Sequence, residues 1–89
     1  SGYSSLNMIA KLMPNIIKID RELIDKIDTN SVNQSIFKAI IKIAKEHEII
    51  VLAEGVERAE EIAFCAKEGA DLAQGYYFGK PSAEPIRKI

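Results

Sequence analysis

Apolar residues along the chain recur with two different periods. Leu6, Ile9, Ala10 and Met13 share one face at helical spacing behind Ser4 or Ser5 as a cap. Pro14 closes that segment, because a residue before proline is pushed out of the α region. Asn15 opens the run Ile16-Ile17-Lys18-Ile19-Asp20, which has strand length and is rich in β-branched side chains. Arg21 to Ile27 predicts a short piece of helix, and Asp28-Thr29-Asn30-Ser31 a loop that finishes as a cap. Ser31 and Gln34 have capping-box spacing, and Val32, Ile36, Ile40, Ile43 and Ala44 continue as an amphipathic stripe. Ile49-Ile50-Val51-Leu52-Ala53 is a second unbroken apolar strand, stopped by Glu54-Gly55. Glu57, Glu60 and Glu61 crowd the first turn of the next helix, where acids suit the positive end of the dipole. That helix carries Ile62, Ala63, Cys65 and Ala66, and Gly69 ends it as a C′ glycine. Leu72 to Phe78 predicts a third extended segment with Gly75 inside it, and Pro85 opens a last helix over Ile86 to Ile89.

Helix, strand, helix, strand, helix, strand is the order of βα units. Strands that are apolar without alternation are covered on both faces, which predicts a parallel sheet beneath helices with right-handed crossovers. The pattern leaves open whether that sheet stays open or curls into a barrel.

Composition narrows the classes. At 89 residues the chain is one small domain or a piece of a larger one. Twelve Lys and Arg against thirteen Asp and Glu leave a net charge of −1, so no field recruits a nucleic acid polymer or an anionic membrane. The apolar window Ile49 to Ala53 falls far short of the roughly 20 residues that span a bilayer. A single cysteine, Cys65, excludes an internal disulfide framework and any multi-cysteine zinc site. No basic-then-apolar segment opens the chain, so the expected address is a reducing cytoplasm, with a membrane anchor further upstream in a parent protein left open.

Each strand carries one polar group where the pattern asks for an aliphatic. Lys18 lies on the face of Ile16 and Asp20, opposite Ile17 and Ile19. An ammonium is costly to desolvate, so Lys18 is either an edge residue that snorkels or a group with a task at the carboxyl end of a parallel strand. Glu54 closes the second strand before a glycine, as a solvated loop acid or as part of a site. Gln74 precedes Gly75 in the third, where a plain surface amide is the alternative. Recurrence of Lys, Glu and Gln at the matching end of three strands is how a barrel mouth is furnished. His47 near a helix end suits the dipole or solvent, and Cys65 reads as a small buried hydrophobe. No Walker loop, G-x-G-x-x-G or H-E-x-x-H is present.

Four blocks together resemble a known family: Ser1-Gly2-Tyr3-Ser4-Ser5-Leu6, Ile17-Lys18-Ile19-Asp20-Arg21, Ala53-Glu54-Gly55-Val56-Glu57, and Gln74-Gly75-Tyr76 through Lys80-Pro81. In this order and spacing they are similar to the last part of the EAL domain, found in bacterial phosphodiesterases that hydrolyse cyclic di-GMP to pGpG. The resemblance implies an α/β fold, the C-terminal fragment of a TIM-like (β/α)8 barrel with about three parallel strands alternating with helices. Residues 1–89 would be an incomplete domain, lacking the Glu-Ala-Leu signature and most ligands of the Mg²⁺ or Mn²⁺ ions. Carried over by position, Lys18 and Glu54 match catalytic residues, with Glu54 also holding metal through water. Glu57 and Gln74 match substrate-binding positions. Arg58 stands where threonine is frequent, Tyr77 where an aliphatic is frequent, and Asn15 near a usual acidic position.

The implied partners are cyclic di-GMP and, in a parent protein, GGDEF or sensor domains. The 89-residue piece is expected to be inactive, to bind no metal of its own, and to self-associate through the strand edges and inner face that an incomplete barrel exposes. The alternative readings are a non-catalytic cyclic di-GMP receptor and a protein-interaction module.

Overall fold

Four strands share one sheet in the order β1-β2-β3-β4: β1 Ile16–Ile19, β2 Ile50–Glu54, β3 Leu72–Gln74 and β4 Ile86–Lys88. The structure, a computed structural model, describes residues 15–78 and 86–89. The helix expected over Leu6 to Met13 and its end at Pro14 lie outside those residues, as do Gly79-Lys80-Pro81 and Pro85. β1, β2 and β3 run parallel, as expected, with Ile17 opposite Val51, Ile19 opposite Ala53, and Ala53 opposite Ala73. The helices α1 (Arg21–Ile24), α2 (Ser31–Glu46) and α3 (Ala59–Glu68) fall between these strands in sequence, giving the alternation of βα units.

The core follows from the two periods. Ile17, Ile19, Val51, Ala53 and Ala73 point from one face of the sheet into a cluster with Leu23, Ile24 and Ile27 and with Phe37, Ile40, Ile41 and Ala44 of α2. Phe37 meets Phe64 of α3 edge to face, with ring centroids 5.6 Å apart. Buried side chains of this size each contribute about 1.5–3 kcal/mol. Cys65 is buried in the same cluster, and His47 is the exposed C-cap of α2.

Several expectations need correction. Among the described residues the cover is uneven: β2 is buried on both faces, by Val51 and Ala53 on one and Leu52 on the other, whereas on β1 Ile17 and Ile19 are buried and Ile16 is 45% exposed, as is Ile50 opposite it at 42%. The aliphatic run of β1 therefore does not imply two covered faces, and the core cluster forms on the Ile17 face. The expected helix over Arg21–Ile27 ends at Ile24, because Asp25 leaves the α region with ψ 118° and Lys26 follows with a left-handed φ of +56°. The third extended segment stops at Gln74, and Gly75 to Phe78 form a turn closed by the Phe78 N–H donating to the Gly75 carbonyl at 3.0 Å. The tail over Ile86 to Ile89 is strand rather than helix. The outer edge of β3 offers this segment an antiparallel ladder, with Leu72 opposite Lys88 and Gln74 opposite Ile86.

The cap of α2 is also reassigned. Asn30 is the N-cap, and its side-chain oxygen accepts from the Asn33 N–H at 3.0 Å, whereas Ser31 is the first helical residue. Asn30→Ala should therefore cost about 1 kcal/mol and Ser31→Ala less than about 0.5 kcal/mol. Paired urea titrations check this, and equal losses would return the cap to Ser31.

Candidate functional site

Parallel strands place register partners on the same face, and at the same height, of the sheet. Glu54 and Gln74 are such partners, each the last residue of its strand. Lys18 pairs with Leu52, two residues before Glu54, so it lies one pleat back on the same face. Strand spacing and rise put the Lys18 and Glu54 Cα atoms roughly 8 Å apart. This face is opposite the one that buries Ile17, Ile19, Val51 and Ala53. Sequence and topology thus bring Lys18, Glu54 and Gln74 to one rim, at the carboxyl ends of β1, β2 and β3. Glu57 is not on the sheet: it is an exposed residue in the loop that leaves this rim for α3.

Two glycines let that loop lie where it does. Gly55 has φ +75°, a backbone that L side chains rarely adopt, and an added Cβ would fall 2.4 Å from Arg21 Cγ. Gly75 needs space rather than an unusual φ, since a Cβ there would sit 2.2 Å from the Val56 carbonyl oxygen and 2.3 Å from its nitrogen. The close crossing is held by two backbone bonds. The Val56 N–H donates to the Gln74 carbonyl at 3.1 Å, and the Tyr77 N–H donates to the Val56 carbonyl at 3.1 Å. Val56 itself is fully buried. Glu54-Gly55-Val56 and Gln74-Gly75 therefore form one backbone unit, and this fixes Glu54 opposite Gln74. Tyr76 and Tyr77 leave the unit 55% and 51% exposed, so they do not extend the strand core.

The remaining anchor is Glu61, one of the acids read as serving the α3 dipole. Its side chain is 1% exposed. Oε1 accepts from the N–H groups of Glu57 (2.9 Å) and Arg58 (3.2 Å). Oε2 accepts from the Lys26 N–H (2.8 Å) and from Arg58 Nε (3.2 Å). The Arg58 guanidinium also pairs with Asp28 in the turn after α1 and reaches Glu60 at 3.6 Å. Burial raises the Glu61 pKa, but the amide donors of Glu57, Lys26 and Arg58 and the Arg58 guanidinium outweigh it, so the carboxyl titrates below its ordinary value. The signal available in the sequence was the three-residue spacing from the N-cap Arg58 to Glu61, the acceptor half of a capping box.

A depressed carboxylate pKa stabilises the fold above the unfolded-state value, near pH 4.3, and that stability is lost as pH falls through the native value. Unfolding free energy should therefore drop as pH is lowered from about 5 to 3, and Glu61→Gln should flatten that part of the profile. An unchanged profile would place the titration elsewhere. Cys65 differs: burial, then the nearby Glu61 charge, push its thiol up to about 12, so it stays protonated and unreactive.

The chain is similar to known proteins in both sequence and fold. The family model described as "EAL domain" matches residues 1–81. "Cyclic di-GMP phosphodiesterase PdeR" of Escherichia coli K12 is 41% identical over 81 residues, covering 91% of this chain and 12% of that protein. Among solved structures, a standalone versatile EAL protein from Vibrio cholerae O395 in its c-di-GMP-bound form superposes with a TM-score of 0.83 at 46% identity, covering 90% of this chain and 34% of that one. Klebsiella pneumoniae BlrP1, in a manganese/cy-diGMP complex, superposes with a TM-score of 0.83 at 31% identity over 100% of this chain and 22% of its own. The chain thus spans about a third of a standalone relative and less of the longer ones.

Proposed function

Because the chain belongs to the EAL domain family, we propose that the rim of Lys18, Glu54 and Gln74 is part of a site that hydrolyses cyclic di-GMP to linear pGpG. The supporting observation is the register: Glu54 faces Gln74 at the carboxyl ends of two parallel strands, with Lys18 one pleat back on the same face. Hydrolysis needs a water to attack phosphorus and a leaving oxygen to depart with a proton. Glu54 suits the orientation of that water and the acceptance of its proton. The Lys18 ammonium lends positive charge to the phosphate as negative charge builds on it. The Gln74 amide both donates and accepts, which suits the edge of a nucleobase or a ribose hydroxyl. Glu57 stands on the adjoining loop as a further contact to the dinucleotide.

Among the described residues no group of three or more His, Cys, Asp or Glu side chains is placed to hold a metal ion. The described residues by themselves therefore do not make up a Mg²⁺ or Mn²⁺ centre, and any role of Glu54 in holding such an ion through water is proposed for a complete domain. Inactivity of the isolated chain is part of the same proposal. No described helix is long and apolar enough to cross a membrane.

The test is a chimera in which this chain replaces the matching third of the Vibrio cholerae protein. Incubated with cyclic di-GMP and Mn²⁺, it should produce the linear dinucleotide, while the 89-residue chain alone should not. Binding without hydrolysis would favour the receptor reading, and neither binding nor hydrolysis would overturn the assignment of the rim.

A further inference from the structure

Outside the rim, one buried ionised group is not used by the chemistry above. Glu61 is 1% exposed, yet its carboxylate accepts four hydrogen bonds, three of them from main-chain amides. Two of those amides, Glu57 and Arg58, belong to the loop that leaves Glu54. The third, Lys26, lies 35 residues from Glu61 in the left-handed turn after α1, and that helix begins directly after β1 and Asp20. Arg58 closes the arrangement by bonding both Glu61 and Asp28 of the same turn. A helix-dipole acid needs none of this and stays in solvent, whereas a buried carboxylate persists only with its lone pairs satisfied. Charge-assisted bonds of this kind are roughly twice as strong as neutral ones, and they fix direction as well as distance.

We propose that Glu61 is a positioning residue for the rim. It clamps the loop that follows Glu54 to the turn beyond α1, so that Glu54 and Glu57 are held in fixed relation to Lys18 on the neighbouring strand. The Arg58 guanidinium is the brace that sets the carboxylate's own orientation. This rests on the reading of the rim as a hydrolytic site, but the clamp itself can be measured without turnover.

The variant Glu61→Gln keeps the volume but replaces one acceptor oxygen with a donor. Its carbonyl can serve Glu57 and Arg58, and its NH2 group then faces the Lys26 N–H and Arg58 Nε, donor against donor. In ¹H–¹⁵N spectra of the 89-residue chain the Lys26, Glu57 and Arg58 amides should move, and with them Glu54 and Gly55, while Ala44 and Ile40 in the α2 core stay in place. Unmoved Glu54 and Gly55 resonances in a folded Glu61→Gln chain would overturn the proposal. In the chimera, at a temperature where the variant is folded, kcat should fall about 10- to 100-fold with a smaller change in KM, as expected for misplaced rather than missing groups. Wild-type kcat in the folded variant would also overturn it. A wild-type chimera without turnover would sink the hydrolytic reading instead, leaving the clamp to be decided by the spectra. Should Glu61→Gln unfold the chain, Arg58→Met removes only the brace. It should shift the same amides less and lower kcat by a few-fold, and no shift at Glu54 would again refute the clamp.

Discussion

In the chimera, Glu54→Gln should lower turnover of cyclic di-GMP by at least about 100-fold, the scale at which a positioned general base contributes. Glutamine fills the same volume and still offers an acceptor oxygen, so the rim should keep its shape. What it loses is the charge that orients a water and the ability to take its proton. The fold leaves Glu54 little freedom to be replaced by a neighbour. It is the last residue of β2, its partner across the ladder is Gln74, and Gly55 behind it is fixed at φ +75° against Arg21. Glu57, exposed on the loop, should matter less, with Glu57→Gln costing about tenfold or below if its role is one contact to the dinucleotide. Lys18→Met should approach the Glu54 effect, because it removes a fixed charge beside the phosphate. Steady-state rates with each variant decide the ranking. A Glu54→Gln chimera within about threefold of wild type would remove that carboxylate from the chemistry.

Gly75→Ala should be strongly destabilising, at about 3–5 kcal/mol. One methyl group there would sit 2.2 Å from the Val56 carbonyl oxygen and 2.3 Å from its nitrogen, and both of those atoms are backbone. No rotamer change relieves such a clash. The loop has to withdraw from β3, which breaks the two hydrogen bonds between Val56 and the Gln74–Tyr77 segment and exposes the buried Val56 side chain. Two ordinary hydrogen bonds account for about 2 kcal/mol and the valine for about 1.5–3 kcal/mol. Small domains have only about 5–15 kcal/mol in total, so a large fall in the urea midpoint is expected. Unchanged unfolding would mean that the crossing is loose, and the account of the rim would then lose its foundation.

The parallel sheet, the alternation of strands and helices, and the shared rim of Lys18, Glu54 and Gln74 were legible in the sequence, because each rests on a period or on a polar interruption of one. The limits of Leu72–Gln74 were not. The apolar and aromatic run continues through Phe78, and only the approach of Val56, 19 residues before Gly75, ends the ladder. The left-handed turn at Lys26 was hidden for a similar reason: its amide is satisfied by Glu61, far along the chain. Ile16-Ile17-Lys18-Ile19 suggested cover on both faces, yet an aliphatic run says nothing of which faces its neighbours supply. Glu61 does stand in the first turn of α3, as its spacing implied, but its burial was not legible, because acids at a helix start are ordinarily solvated. The cap shifted from Ser31 to Asn30 because both residues are good caps one position apart, and the chain chose the one whose side chain reaches Asn33.

The crossing of Val56 over Gly75 also has a kinetic consequence. The amides of Val56 and Tyr77 are both donors in this crossing, so withdrawal of Val56 from Gly75 would release the two together. Local opening, the slow breathing by which buried amides exchange their protons for deuterons, should expose both with one free energy. Glu54 and Gln74, bound to that unit on either side, would then come and go from the rim in a single event.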